Sequence, residues 1–184
     1  MAAARELIRE KFATELIGEE GESLAEHLLA LFQSQKLTLA SAESCTGGSI
    51  AGALTDVAGA SSVYLGGFVT YSNEAKVRDL GVSEDSLLKY GAVSDEVCRE
   101  MADGCLEQCG ADVAVVCTGI AGPTGGSEEK PVGTVFIGVA QRGCATKVWH
   151  HVFRGDRLLF KQRVVVSALD HVRKSIAKNA ADGC

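Results

Sequence analysis

Residues 41–48 bring two side chains capable of nucleophilic attack to a turn between two regular elements. An apolar stretch precedes the turn and a helix-like stretch follows it, an order that predicts strand, tight turn and helix. Ser44 and Cys45 lie in the turn, and Gly47 and Gly48 let a substrate approach the backbone closely. Because free N–H groups at a helix N-terminus attract anions, we expect a nucleophile beside an anion site here.

A side chain at such a turn can attack an electrophilic carbon. A serine or cysteine that does so needs a base to remove its proton and donors to stabilise the oxyanion that forms. Backbone N–H groups near Cys45, Thr46 and Gly47 are the expected oxyanion donors. None of the four histidines lies in a glycine-rich or turn segment, which argues against a Ser-His-Asp triad. Lys76, in the segment 67–76, can serve as the base if burial lowers its pKa.

Two later segments have the residue types of a ligand-binding site. Residues 119–131 are predicted to form a long glycine-rich loop after a predicted strand, and loops at strand ends bind ligands in open α/β sheets. Thr118 directly precedes this loop, and Gly119 and Gly122 lie at its start. Arg157 follows a second predicted strand and can pair with a phosphate through two parallel hydrogen bonds.

Each of these residues also has a purely structural explanation. The glycines of the first turn suit a tight strand–helix junction, and Lys76 suits a solvated helix face. Tyr71 suits a half-buried strand position, and Arg157 suits a surface charge. Cys45 competes with Ser44 as the nucleophile, because a helix N-terminus lowers the pKa of a thiol.

Four segments together closely resemble the CinA C-terminal domain family in their order and spacing. They are residues 41–48, 67–76, 118–134 and 153–157. The best-defined activity of that family is deamidation of nicotinamide mononucleotide (NMN). The resemblance implies that Ser44 is the nucleophile, that Lys76 is its base and that Tyr71 helps to set up the pair.

The resemblance thus implies an amidohydrolase that converts NMN to nicotinate mononucleotide and ammonia through an acyl-enzyme, in pyridine nucleotide salvage. The loop of Thr118, Gly119 and Gly122 is assigned to the ribose or phosphate, and Arg157 to the phosphate. No cofactor or metal is expected, because the sequence has no His-x-His or H-E-x-x-H motif and no acidic cluster. Two alternatives stay open: a non-catalytic nucleotide- or partner-binding module linked to competence and DNA damage, and an amidase for another substrate.

The composition predicts one domain over residues 1–184 with an aliphatic core. Hydrophobic residues make up 46 % of the chain, aromatic residues make up 5 %, and the mean hydropathy is +0.12. The net charge of −6 argues against a nucleic acid partner but allows a local basic patch for one small phosphate. No apolar run is long enough to span a bilayer and no secretory signal is recognisable, so we expect a cytoplasmic protein without membrane contact.

Seven cysteines occur without a C-x-x-C pair, and we expect free, mostly buried thiols in a reducing compartment. The apolar N-terminal helices within residues 1–36 are expected to pack on the domain and to support a homo-oligomer. The resemblance implies that longer relatives carry this domain as the C-terminal half of a two-domain protein, whereas this chain is expected to be free-standing.

Helices alternate with about five strands, which predicts a three-layer α/β/α sandwich on a mixed, mostly parallel sheet whose strand order does not follow from the sequence. Residues 112–117 predict a strand covered on both faces. Residues 132–140 and 146–153 predict an antiparallel pair, and Asp156 is the predicted N-cap of a closing helix. The other predicted elements are a helix over 2–16, a helix over 23–34, a strand over 37–42, a helix over 46–57 and a strand over 63–71.

Overall fold

The computed structural model of the protein describes residues 21–182, with side chains as far as Ala177. The helix predicted over residues 2–16 lies outside the described residues. The helices are α1 (Leu24–Gln35), α2 (Ser49–Thr55), α3 (Asn73–Leu80), α4 (Glu84–Tyr90), α5 (Asp95–Cys109) and α6 (Arg157–Asp182). The strands are β1 (Leu39–Glu43), β2 (Tyr64–Val69), β3 (Val113–Gly119), β4 (Thr134–Gln141) and β5 (Lys147–Val152).

The five strands form one sheet in the order β2-β1-β3-β4-β5. β1 pairs in parallel with β2 and β3, whereas β4 pairs antiparallel with β3 and β5. One face of the sheet packs against α1, α2 and α6, and the other face packs against α3, α4 and α5. The predicted three-layer sandwich on a mixed sheet with a parallel core is confirmed, and so is the antiparallel pair at its end.

β3 is the central strand, and both of its faces are covered. Val113 and Val115 belong to the core beneath α1, α2 and α6, whereas Ala114 and Val116 belong to the core beneath the other three helices. Because side chains alternate between the two faces of a strand, every position here needs an apolar residue. The chain stays apolar until Thr118, where the strand reaches its carboxyl end.

The element boundaries at the first turn differ from those predicted. β1 includes Glu43, beyond the predicted end of the strand, and α2 begins at Ser49, later than the predicted start at residue 46. Gly47 and Gly48 adopt left-handed backbone conformations, with φ of 62° and 95°. Since a right-handed helix cannot continue through such residues, the helix starts only after them.

The strand directions bring the four motif segments to one edge of the sheet. β1, β2 and β3 run parallel, so the residues that follow them leave the sheet at the same edge. β4 starts at that edge and β5 ends there, which places the start of α6 nearby. Asp156 is the N-cap of α6, as predicted, since its carboxylate accepts the N–H groups of Leu158 and Leu159 at 2.9 and 2.8 Å.

Most of the cysteines in the described part of the chain are free thiols, as predicted. The free thiols are Cys45, Cys98, Cys105, Cys109 and Cys117. Cys144 is disulfide-bonded, so the prediction is wrong for this residue, which lies in the turn after β4 and outside the core that encloses the others. Among residues 21–182, no helix has the length and apolarity to cross a membrane, and no three metal-ligating side chains converge.

Candidate active site

A cavity of about 320 Å³ opens at the carboxyl edge of the sheet, where the four motif segments meet. The predicted site residues in its wall are Ser44, Cys45, Tyr71, Lys76, Thr118, Gly119, Gly122 and Arg157. Thr46, Gly47 and Gly48 belong to the turn but do not line the cavity. A larger cleft of about 680 Å³ lies between β5 and α6, and its walls contain none of the predicted site residues.

Lys76 and Ser44 face each other across this cavity from two different elements. Ser44 directly follows β1, and Lys76 lies on α3, whose N-terminus is capped by the hydroxyl of Ser72. The Lys76 Nζ lies 3.3 Å from the Ser44 Oγ and donates a second hydrogen bond of 2.8 Å to the carbonyl of Thr70. The carbonyl fixes the lysine, and the lysine thereby stays within hydrogen-bond reach of the hydroxyl.

The environment of Lys76 favours the neutral amine. Only 1 % of the residue is exposed, and no carboxylate among the described residues forms an ion pair with it. Burial lowers the pKa of the Lys76 ammonium, an effect that the nearby sulfurs of Cys45 and Cys117 partly oppose. A neutral lysine amine next to a serine hydroxyl can accept its proton, which is the first requirement for a serine nucleophile.

The N-terminus of α2 is occupied by the protein's own carboxylate. One oxygen of Glu43 accepts hydrogen bonds from the N–H groups of Gly48 and Ile50, both at 3.0 Å, and from the Thr46 hydroxyl at 2.6 Å. The other oxygen accepts the Ala51 N–H at 2.8 Å. The expectation that this helix end holds a ligand anion is therefore wrong, because the buried Glu43 side chain takes its free donors.

Of the three N–H groups expected in the first turn as oxyanion donors, one already forms a hydrogen bond within the protein. The Gly47 N–H donates to the Ser44 carbonyl at 3.1 Å, so it is already engaged. Within the described chain, the N–H groups of Cys45 and Thr46 donate to no other residue. Cys45 directly follows Ser44 and lines the cavity, where an oxyanion on a carbon attached to the Ser44 Oγ would form, whereas Thr46 does not line it.

Cys45 has the properties of a packed thiol. It is 5 % exposed, and its sulfur lies 4.0 Å from the sulfur of Cys117, which in turn lies 3.0 Å from the Thr46 hydroxyl. The contact with Cys117 and burial raise the pKa of the Cys45 thiol well above its usual range. The thiolate, which is the reactive form, is therefore disfavoured at this position.

Tyr71 and Arg157 are joined at the mouth of the cavity. The Arg157 guanidinium donates to the Tyr71 hydroxyl at 2.8 Å and to the Gly122 carbonyl at 3.0 Å. Tyr71 is 61 % exposed, and the hydrogen bond of its hydroxyl is with Arg157 rather than with Ser44 or Lys76. The two residues thus tie the loop after β2 to the loop after β3 and to the start of α6.

The charge of the cavity wall is opposite in sign to that of the whole protein. Its permanent cation is Arg157, Lys76 adds a second positive charge only when it is protonated, and no carboxylate side chain lines the cavity. The chain as a whole carries a formal charge of −6. A small site of this sign selects an anionic ligand even in an acidic protein.

The glycine-rich loop shapes one wall of the cavity. The Thr118 hydroxyl donates to the Ala92 carbonyl at 2.7 Å, which ties the end of β3 to the segment before α5. Gly122 has a φ of 76°, and a Cβ atom there would lie 2.4 Å from the Val132 side chain. Glycine at this position therefore serves the close packing of the loop as well as any ligand.

Several lining residues were not predicted individually as site residues. They are Asn73, Ala92, Val93, Ile120, Ala121, Thr124 and Gly125. Ile120 and Ala121 belong to the turn that was assigned to the ribose or phosphate, and Asn73, Thr124 and Gly125 lie within the recognised segments. Ala92 and Val93 lie in the connection between α4 and α5, where no residue type suggested a site.

Most of the chain matches a known protein family. A model of the family described as "CinA C-terminal domain" matches residues 21–176. A CinA-like protein of Chloroherpeton thalassium is 52 % identical over 154 residues, which are 82 % of this chain and 37 % of the relative. A CinA-like protein of Geobacter metallireducens is 46 % identical over 171 residues, which are 92 % of this chain and 41 % of the relative. The chain thus spans about two fifths of the length of the curated relatives it matches.

Solved structures give the same result for the fold. The competence/damage inducible protein CihA of Agrobacterium tumefaciens superposes with a TM-score of 0.78 at 42 % identity, covering 83 % of this chain and 93 % of that one. A competence-damaged protein (CinA) superfamily protein of Escherichia coli superposes with a TM-score of 0.77 at 34 % identity. That match covers 89 % of this chain and 97 % of the other.

Proposed function

The chain belongs to the CinA C-terminal domain family, and we propose that it is an amidohydrolase that converts NMN to nicotinate mononucleotide and ammonia. The observation that carries the proposal is the contact between Ser44 and Lys76. A lysine that is 1 % exposed, without a described carboxylate partner, lies 3.3 Å from a serine hydroxyl in the wall of a cavity. That arrangement supplies a base and a nucleophile without histidine.

In the proposed reaction, the neutral Lys76 amine takes the proton of the Ser44 hydroxyl as the oxygen attacks the carboxamide carbon. The Cys45 N–H group stabilises the oxyanion, with about 3 kcal/mol for a well-placed donor. The Lys76 ammonium then gives its proton to the amide nitrogen, the carbon–nitrogen bond breaks, and ammonia leaves. Water, deprotonated by the same amine, cleaves the resulting ester and restores the Ser44 hydroxyl.

The mouth of the cavity supports a ligand that carries a phosphate. Arg157 uses two of its five N–H donors on Tyr71 and Gly122, which fixes its plane and leaves donors for an anion. Lys76, at the other end of the charged wall, is buried and meets the reacting group. In this proposal the carboxamide faces Ser44 and the phosphate faces Arg157, with the loop after β3 beside the ribose.

Ser44 is preferred to Cys45 as the nucleophile on geometric grounds. Lys76 contacts the Ser44 oxygen, whereas the Cys45 sulfur packs against Cys117. A buried thiol whose pKa is raised would have to lose its proton at a greater cost than a thiol in water. Ser44 therefore has both access to the cavity and a base within hydrogen-bond distance.

The test is to incubate the purified protein with NMN and to measure ammonia and nicotinate mononucleotide together. The expected result is equimolar formation of both products, with little turnover of nicotinamide or of nicotinamide riboside, which lack the phosphate. A second candidate, a non-catalytic nucleotide- or partner-binding module, is consistent with the names of the relatives, which state no activity. Calorimetric binding of NMN without any product would favour that module and contradict the amidohydrolase.

A further inference from the structure

We infer that Glu43 is a positioning residue for this reaction: its carboxylate fixes the turn that carries Ser44, and its main chain fixes the strand end that holds Lys76. The inference rests on the proposed function, since it assigns Glu43 a part in that reaction. Glu43 is not in the cavity wall, so it acts through the residues it holds and not through the ligand.

The Glu43 carboxylate holds the turn in place through hydrogen bonds. Glu43 is 1 % exposed, and its two oxygens accept four hydrogen bonds between 2.6 and 3.0 Å. The donors are Thr46, Gly48, Ile50 and Ala51. Glu43 precedes Ser44 and all four donors follow it, so the chain is fixed on both sides of the Ser44 hydroxyl.

The Glu43 main chain is connected to Lys76 through two hydrogen bonds of Thr70. The Glu43 carbonyl accepts the Thr70 N–H at 2.9 Å, just beyond the last pair of the β1–β2 ladder. The carbonyl of the same Thr70 accepts the Lys76 Nζ at 2.8 Å. A single residue, Thr70, therefore separates the Glu43 main chain from the contact that holds the base.

The role of Glu43 is positional and not a direct effect of its charge on Lys76. The groups that shift the pKa of Lys76 are its buried surroundings and the sulfurs of Cys45 and Cys117, and Glu43 is not among them. The geometry around the carboxylate is also specific for an acceptor. All four groups that face it are donors, so an amide in its place would turn an N–H group toward one of them.

The primary experiment compares Glu43→Gln with Glu26→Gln. Glu26 also contacts a helix N-terminus, accepting the Ser23 N–H at 2.7 Å on α1, but it lies away from the cavity. We expect kcat for NMN to fall by about 100-fold in Glu43→Gln with KM within about threefold of wild type, because a displacement of about 1 Å costs that much. In Glu26→Gln we expect an unchanged kcat.

A pH profile separates positioning from a loss of stability alone. If Lys76 is released from Thr70 toward water, the pH at which kcat reaches half its plateau moves up toward the ordinary lysine value. A purely structural role would lower the melting temperature without moving that midpoint or the kcat of the folded protein. A folded Glu43→Gln protein with wild-type kcat and an unmoved midpoint would overturn the inference.

A second variant covers the case in which Glu43→Gln does not fold. Thr46→Val removes the 2.6 Å hydrogen bond to the carboxylate, together with the 3.0 Å contact between the hydroxyl and the Cys117 sulfur, and keeps the charge of Glu43 and the three backbone bonds. We expect a fall in kcat of about tenfold, in proportion to a smaller displacement, and wild-type kcat in this variant would count against the inference.

The proposed function and the positioning role of Glu43 are tested by different measurements, so the failure of one can be distinguished from the failure of the other. If wild-type protein releases no ammonia from NMN, the assignment of the reaction fails, and crystal structures of wild type and Glu43→Gln still decide the position of the lysine. A distance between Lys76 Nζ and Ser44 Oγ that increases in Glu43→Gln supports the positioning role. A distance that stays at the wild-type value refutes it.

Discussion

The side-chain nitrogen of Lys76 lies 3.3 Å from the side-chain oxygen of Ser44, although 32 positions separate them in the chain. The two residues follow neighbouring parallel strands, β1 and β2, and meet because parallel strands end at the same edge of a sheet. The same edge also carries the end of β3 and the start of α6, which supply the rest of the cavity.

Replacing the nucleophile should abolish turnover without unfolding the protein. In Ser44→Ala we expect ammonia release from NMN to fall by at least about 1,000-fold, because the group that we propose forms the covalent intermediate is lost. Cys45→Ala is the matched control one residue away, and it should keep kcat within about tenfold of wild type. Mass spectrometry of acid-quenched reactions should find the acyl group on wild-type protein and not on Ser44→Ala. Loss of activity in Cys45→Ala alone would transfer the nucleophile to that residue.

The activity should rise with pH through the pKa of Lys76. Only the neutral amine can accept the Ser44 proton, and the fraction of neutral amine increases as the pH rises. Because burial lowers this pKa, the midpoint of the rise in kcat/KM should lie below the ordinary lysine value of about 10.4. Steady-state rates between pH 6 and pH 10 measure it. A rate that falls steadily across this range would contradict a lysine base.

The role of Arg157 should appear in substrate binding. In Arg157→Ala we expect KM for NMN to rise by about 10- to 100-fold, because a phosphate loses a charge-assisted pair of hydrogen bonds. The same change should have little effect on turnover of nicotinamide riboside, which has no phosphate. Arg154→Ala is a control of the same residue type in the preceding loop, and its KM should stay close to wild type. Equal losses in both variants would point to the general positive charge of this surface.

The packing of α3, which carries Lys76, should depend on a glycine in α5. A Cβ atom at Gly104 would lie 1.8 Å from the Leu80 carbonyl oxygen at the end of α3. Gly104→Ala should therefore destabilise the protein by about 1–3 kcal/mol and lower kcat, although alanine is the better helix former. Gly52→Ala in α2 is the control, since no atom lies within 4 Å of its Cβ position. It should raise the free energy of unfolding by up to about 1 kcal/mol in a denaturant titration.

The sequence predicted the elements and their meeting point better than it predicted the contacts. Residues 112–117 were recognisable as a central strand because burial on both faces leaves an unbroken apolar run. The convergence of Ser44 and Lys76 was implied by the family resemblance, and parallel pairing of β1 and β2 accounts for it. The order of the strands was not predictable, since it depends on which sheet edges pair and not on any local pattern.

The side-chain contacts of the site were not predictable from the sequence, and Glu43 shows why. As a charged residue before a glycine-rich turn, it had no local signal of burial, and the free donors at the helix end were assigned to a ligand. Its carboxylate takes those donors through contacts with Thr46 and three backbone groups that exist only in the folded turn. Likewise, the hydrogen bond between Tyr71 and Arg157 joins residues 86 positions apart, beyond the reach of any periodic pattern.

The assembly of the reactive pair from two separate strands has a consequence for the newly made chain. Until β1 and β2 have docked, the serine is an ordinary alcohol and the lysine an ordinary protonated amine in water. A nascent or partly unfolded molecule therefore has no means of attacking the many amides around it. Recovery of ammonia release during refolding should therefore not precede the docking of β1 on β2.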